Sequence, residues 1–141
     1  MKRIVIMTHA LLARGLKETA EFLAGESDIV SVCCFTEEQD PDAYIDALLK
    51  EVPEEDKLII MTDIMGGSVN QKAGRRLSGH AFYLLSGINL PLLLEIAVAD
   101  ESMITEELIR DAVEDAKKEI VFVNDRLTEE TSESPDADFV G

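Results

Sequence analysis

Apolar positions follow two rhythms along this chain. Short, nearly continuous apolar runs alternate with segments in which apolar residues return every three or four positions. The first rhythm suits strands covered on both faces of a parallel sheet, and the second suits amphipathic helices. Residues 2–7, 29–35, 57–62 and 81–85 are the predicted strands. Leu12, Leu16, Ala20 and Leu23 mark a helix over 11–24, which Gly25 stops. Asp40 and Pro41 open a second helix as N-cap and first helical residue. It carries Tyr44, Leu48 and Val52 on one face and ends at Pro53. Ser68, followed three residues later by Gln71, reads as a capping box that starts a third helix running to about Leu77. Pro91 opens a short apolar helix reaching Ala99. A last helix, 105–118, has Thr105 as cap, Glu106 and Glu107 in its first turn, and Lys117 and Lys118 in its last, matching the helix dipole. Residues 119–123 are predicted as a fifth strand.

Strands alternating with helices predict an α/β fold, a doubly wound and mostly parallel sheet of strand order 2-1-3-4 with right-handed connections. There is no internal repeat and no linker to a second domain. Residues 1–123 are expected to form one domain, and the acidic tail 124–141 to stay loose.

Charge narrows the partners. The formal net charge is -16. The tail holds six acids (Asp125, Glu129, Glu130, Glu133, Asp136 and Asp138) against Arg126, so the body keeps about -11. That field repels phosphate backbones, so nucleic acid is not an expected partner. A protein with a basic docking face fits better, although acidity that serves only solubility reads equally well. No apolar run reaches the roughly 18–20 residues of a membrane span, and the N-terminal run is too short for a secretory signal. A cytoplasmic location is the expectation. Cys33 and Cys34 are neighbours on a strand, so they point to opposite faces and are expected to be buried free thiols.

Two histidines are available. His9 follows the first strand, at the carboxyl edge of the sheet, where open α/β folds place their sites. His80 precedes the fourth strand and falls at the other edge. Asp63 occupies the equivalent place after strand three, the neighbour of strand one across the switch point. A carboxylate there accepts a proton from one imidazole nitrogen and leaves the other as nucleophile. Asp63 acting only as a loop cap is the alternative. Gly66, Gly67 and Ser68 then offer backbone that approaches closely and a helix start suited to an anion. There is no GxGxxG after strand one, no Walker A lysine and no paired aspartates for a receiver metal. Phosphoryl transfer between histidines needs no nucleotide and no metal, so no cofactor is expected.

Three segments, in order, resemble the IIA components of the mannose/fructose/sorbose phosphotransferase family over about residues 1–123. Ile4-Val5-Ile6-Met7-Thr8-His9 is similar to the family's first strand and phosphoacceptor histidine. Asp63-Ile64-Met65-Gly66-Gly67-Ser68 is similar to its Asp-x-x-Gly-Gly-Ser turn, and Gly87-Ile88-Asn89-Leu90-Pro91 to its Gly-[VI]-Asn-x-Pro segment. The resemblance implies that His9 takes a phosphoryl group from the histidine-containing phosphocarrier protein and gives it to a IIB subunit. Asp63 would orient the ring, and Ser68 with Gly67 would bind the phosphate. It also implies a homodimer with the last strand exchanged, and contact with the membrane only indirectly, through the permease. Val69 stands where many members carry proline. IIB is expected as a separate chain, because no IIB domain follows. Two other readings remain: a carrier of the same fold that feeds a dihydroxyacetone kinase, and a non-catalytic regulatory binding domain.

Overall fold

The computed structural model describes residues 1–36 and 40–133. Four strands, β1 (Lys2–His9), β2 (Val30–Cys34), β3 (Lys57–Thr62) and β4 (Tyr83–Leu85), form one sheet in the order β2-β1-β3-β4. All three pairings are parallel, with Met7 opposite Val32 on one side and Thr62 on the other. The α/β class and the strand order expected from the sequence both hold.

Strand side chains alternate between two cores, as a period of two requires. Ile4, Ile6, Ile59, Met61 and Cys33 face one core, and Val5, Met7, Leu58, Ile60, Val32 and Cys34 face the other. The first core is closed by helices α1 (Leu12–Ala24), α4 (Leu90–Val98) and α5 (Glu106–Lys118). The second is closed by α2 (Pro41–Glu51) and α3 (Ser68–Gly74). Burying each fully apolar strand residue is worth about 1.5–3 kcal/mol, so the two-faced strands are the main source of cohesion. The neighbouring thiols divide between the cores, and both are free and buried. Burial pushes the Cys34 thiol up to about 11, with the nearby Asp63 charge adding to the rise.

Asn89 shows why the Gly87–Pro91 stretch has its composition. Its side-chain oxygen accepts from the Leu92 N–H at 2.9 Å, which caps α4, and its amide donates to the Ala116 carbonyl at 3.0 Å. The same side chain thus starts one helix and ties the end of another. Pro91 sits in the first turn of α4, where its missing N–H has no role.

Three expectations are corrected. Residues 119–123 form no strand among the described residues. An extended segment needs a hydrogen-bonded neighbour to become one, and here Ile120 and Phe122 stand exposed beyond α5. Val123–Glu133 is a helix, α6, where loose chain was expected from Asn124 onward; Thr128 donates its hydroxyl to the Asn124 carbonyl one turn back. The rest of the tail, 134–141, lies outside the described residues. The capping box also does not form. Gly67 is the N-cap of α3, Ser68 is its first helical residue, and Gln71 donates its amide to the Gly66 carbonyl at 2.7 Å. The Ser68 hydroxyl is thereby left free to face His9.

Candidate functional site

β1 and β3 lie side by side, so their carboxyl ends deliver His9 and Asp63 to one place. One Asp63 oxygen, Oδ2, accepts from the His9 main-chain N–H at 3.0 Å and lies 2.9 Å from ring Nδ1. The other oxygen accepts from the Ile64 N–H at 3.1 Å. An ionised carboxylate only accepts, so Nδ1 carries the proton and Nε2 keeps the lone pair of the neutral ring. Nε2 in turn lies 3.2 Å from the Ser68 hydroxyl. Burial pushes the Asp63 carboxyl upward, but the hydrogen bonds from the His9 main chain and ring outweigh it and hold the carboxyl below its ordinary value.

Gly67 is close to the ring. A Cβ there would sit 3.2 Å from the Ile64 carbonyl oxygen and 3.5 Å from His9 Cε1. Gly66, at a φ of 76°, makes the turn that lets Gly67 approach. The loop is held from below by Asn70, which is buried. Its oxygen accepts from the Gly66 N–H at 3.2 Å, and its amide donates to the Thr62 hydroxyl at 3.1 Å. All four residues expected at the site, His9, Asp63, Gly67 and Ser68, therefore meet in one crevice.

Three further residues shape it and were not anticipated. Asn70 is a polar residue on the inner face of α3, between the buried Val69 and Ala73. A polar side chain on an apolar helix face was its only signal. Thr8 accepts from the Ala13 N–H at 2.7 Å and so fastens the start of α1 behind the histidine. Phe35 stacks on the imidazole with ring centroids 5.4 Å apart and an interplanar angle of 28°. Its signal was an aromatic residue at the end of the strand next to the histidine's own.

His80 lies at the opposite edge, as expected, and its ring has no hydrogen-bond partner among the described residues. Open concavities of about 410 and 590 Å³ border it, lined in part by Glu54, Asp56 and Leu58. Volume alone does not nominate a site: among the described residues nothing there pairs a nucleophile with a base. Among the described residues no group of acidic, cysteine and histidine side chains is arranged to hold a metal ion, and no helix is long and apolar enough to cross a membrane.

The fold and the site define a class: a parallel α/β domain with a histidine, oriented by a carboxylate, at the sheet's switch point. The family described as the PTS system fructose IIA component matches residues 3–113, and the chain belongs to that family. The mannose-specific EIIAB component of Escherichia coli K12 is 29% identical over 139 residues, covering 95% of this chain and 43% of that protein. This chain therefore spans less than half the length of that relative. The fructose-specific EIIA component of Bacillus subtilis is 28% identical over 115 residues, 79% of each chain. A crystal structure from Klebsiella pneumoniae, described as a phosphoenolpyruvate-dependent sugar phosphotransferase system permease, superimposes with a TM-score of 0.79. It is 37% identical and covers 89% of this chain and 93% of that one. Neither the kinase-feeding carrier nor the regulatory binding domain is favoured by these likenesses.

Proposed function

We propose that this chain carries a phosphoryl group on Nε2 of His9, taking it from the histidine-containing phosphocarrier protein and passing it to a IIB subunit. The observation that carries the reading is the Asp63 oxygen at 2.9 Å from Nδ1, which leaves Nε2 as the nucleophile. In the transfer, the Nε2 lone pair attacks phosphorus while the P–N bond to the donor's imidazolium breaks. The donor leaves as neutral imidazole, and His9 becomes the phosphoimidazolium. Nδ1 keeps its proton throughout, and the Asp63 carboxylate balances the positive ring. No proton needs to leave the site, and transfer onward to IIB reverses the same steps. Ser68 and the Gly67 backbone meet the phosphoryl oxygens.

Leu11, Leu12, Ile64 and Met65 are exposed apolar side chains around this crevice. Such a rim suits a protein partner that covers it during transfer and then leaves. The test is incubation with phosphoenolpyruvate and the purified carrier components. Labelling of the wild-type chain, with chase of the label to a IIB acceptor, is the expected result. A chain that binds these partners without becoming labelled would overturn the reading.

The assembly we propose is a homodimer in which the apolar segment 119–123 of each chain packs against the other chain. Exposed Ile120, Phe122 and Val123 support it, since adjacent apolar side chains left in water are an unfinished surface. Sedimentation at micromolar concentration should give a dimer, and a monomer there would rule it out.

A further inference from the structure

We propose that Phe35 is a positioning residue for the phosphohistidine: its ring holds the plane of the His9 imidazole and covers one face of it against water. This rests on the reading of His9 as the phosphoryl carrier. Two independent observations support it. The first is the stack itself, whose centroid distance of 5.4 Å falls in the favourable range for aromatic pairs. The second is the backbone. Phe35 has a φ of 60°, a left-handed conformation that a bulky side chain rarely adopts. Strained residues persist where the surroundings or the chemistry over-determine them. A relaxed backbone at 35 would carry the ring away from His9, while the left-handed turn at the end of β2 brings it over.

The remaining sides of the ring are already assigned. Asp63 holds the Nδ1 edge, Ser68 faces Nε2, and the Gly67 backbone lies near Cε1. Those contacts are all made at the ring's edge. A flat apolar partner on the face adds a restraint against tilting out of that plane. It also faces the ring that turns positive on phosphorylation, and an aromatic face stabilises such a cation. That slows the competing reaction, in which water attacks phosphorus, the P–N bond breaks, and neutral imidazole and inorganic phosphate result. A carrier must survive long enough to meet its acceptor, so a stabilised phosphoimidazolium serves the function directly.

The experiment compares wild type with Phe35→Gly, Phe35→Leu and Phe35→Tyr. Each is phosphorylated chemically with phosphoramidate as well as through the carrier, so labelling does not depend on docking. Half-life of the phosphoprotein without acceptor, kcat and KM for transfer, and melting temperature are read for each. Phe35→Gly should shorten the half-life and lower kcat by about threefold to tenfold, the scale of one aromatic contact. Its melting temperature should hold or rise, because glycine relieves the positive φ. Phe35→Tyr should restore both values, and Phe35→Leu should restore neither. An unchanged half-life and kcat in Phe35→Gly, or a rise in KM alone, would overturn the role and leave the His9 reading standing. Equal carrier-dependent labelling of a His9→Ala control would instead remove the His9 reading, and the role of Phe35 with it.

Discussion

The two edges of this sheet carry similar residues and use them in opposite ways. At the amino edge several charges hold the chain together. The N-terminal ammonium pairs with Asp56 and Glu101, Arg3 pairs with Asp56 at 2.7 Å, and Lys57 donates to the Ile104 carbonyl at 2.6 Å. At the carboxyl edge each strand is followed by a residue of positive φ: Ala10 after β1, Phe35 after β2, Gly66 after β3 and Gly87 after β4. There the backbone bends sharply, and His9, Asp63 and Ser68 face one another in partial contact with solvent. One edge is braced by ion pairs and the other gathers the candidate site. The two histidines, one at each edge, allow the difference to be tested.

The largest effect should come from exchanging them in turn. His9→Ala should abolish phosphorylation, because no other side chain at the carboxyl edge combines a free ring nitrogen with a carboxylate partner. His80→Ala should leave labelling intact, because that ring orients nothing and is oriented by nothing among the described residues. Carrier-dependent labelling of both variants is the measurement. Labelling lost with His80 and retained without His9 would reverse the assignment of the edges.

Next comes Asp63→Asn. An amide can donate to Nδ1, which favours the wrong tautomer, and it cannot balance a charged ring. Transfer should slow by about tenfold to ten-thousandfold, as with loss of comparable positioning in other acid–base sites. A pH series sharpens the point. Burial raises the Asp63 carboxyl, yet the His9 bonds hold it net below the ordinary 3.8. A depressed carboxylate stabilises the folded chain above its unfolded pKa and loses that contribution as pH falls through the folded one. The stability gap between wild type and Asp63→Asn should therefore be widest near neutrality and shrink below about pH 3.8. Denaturant unfolding of both at neutral and acid pH would show it, and a gap that widened in acid would mean that Asp63 is not held as a carboxylate.

Why these residues could be found from sequence, and others could not, also follows from the two edges. Strand order and the period of apolar residues place any residue at one edge or the other, so His9, Asp63 and His80 could be located before any contact was known. Contacts that depend on backbone twists within a single turn leave no periodic trace. Phe35 reaches His9 only through a left-handed residue, and Asn70 holds the loop from within a helix face. Ser68 differs from its expected role for the same reason: Ser-x-x-Gln spacing fits a capping box, but a one-residue shift of the helix start turns its hydroxyl to the histidine. The apolar residues after α5 predict a strand from composition alone. Composition supplies a willing strand, and only a neighbouring edge can make it one.

A smaller change is expected from Ser68→Ala. It removes the hydroxyl at 3.2 Å from Nε2 but keeps the backbone N–H groups at the start of α3. One hydrogen bond is worth about 0.5–1.5 kcal/mol if neutral and about 1.5–3 if it meets a charged phosphoryl oxygen. Transfer should fall by about twofold to a hundredfold, and less than in Asp63→Asn. Single-turnover rates on the two variants would order them. If Ser68→Ala were the slower, phosphate contact rather than ring orientation would dominate the site.

The smallest effect on transfer should come from the amino edge. Lys2 ends its side chain at the C-terminus of α4, donating to the carbonyls of Ile96 at 3.0 Å and Ala97 at 2.7 Å. Those carbonyls have no partner within the helix, and the ammonium also meets the negative end of its dipole. Burial lowers the Lys2 pKa, so part of this gain is spent on desolvation. Lys2→Met keeps the length and apolar stem and removes only the charge and its donors. A hydrogen bond to a charged group is worth about 1.5–3 kcal/mol, and desolvation takes a share back, so a loss of about 1–2 kcal/mol is expected. For a chain of this size that is a fall of roughly 3–8 °C in melting temperature. Transfer through His9 should stay within about twofold of wild type, because the substitution sits a full strand length from the site. Calorimetry together with the transfer assay reads both quantities on one preparation. A transfer defect as large as that of Ser68→Ala, with the melting temperature unmoved, would mean that the two edges do not divide their labour in this way.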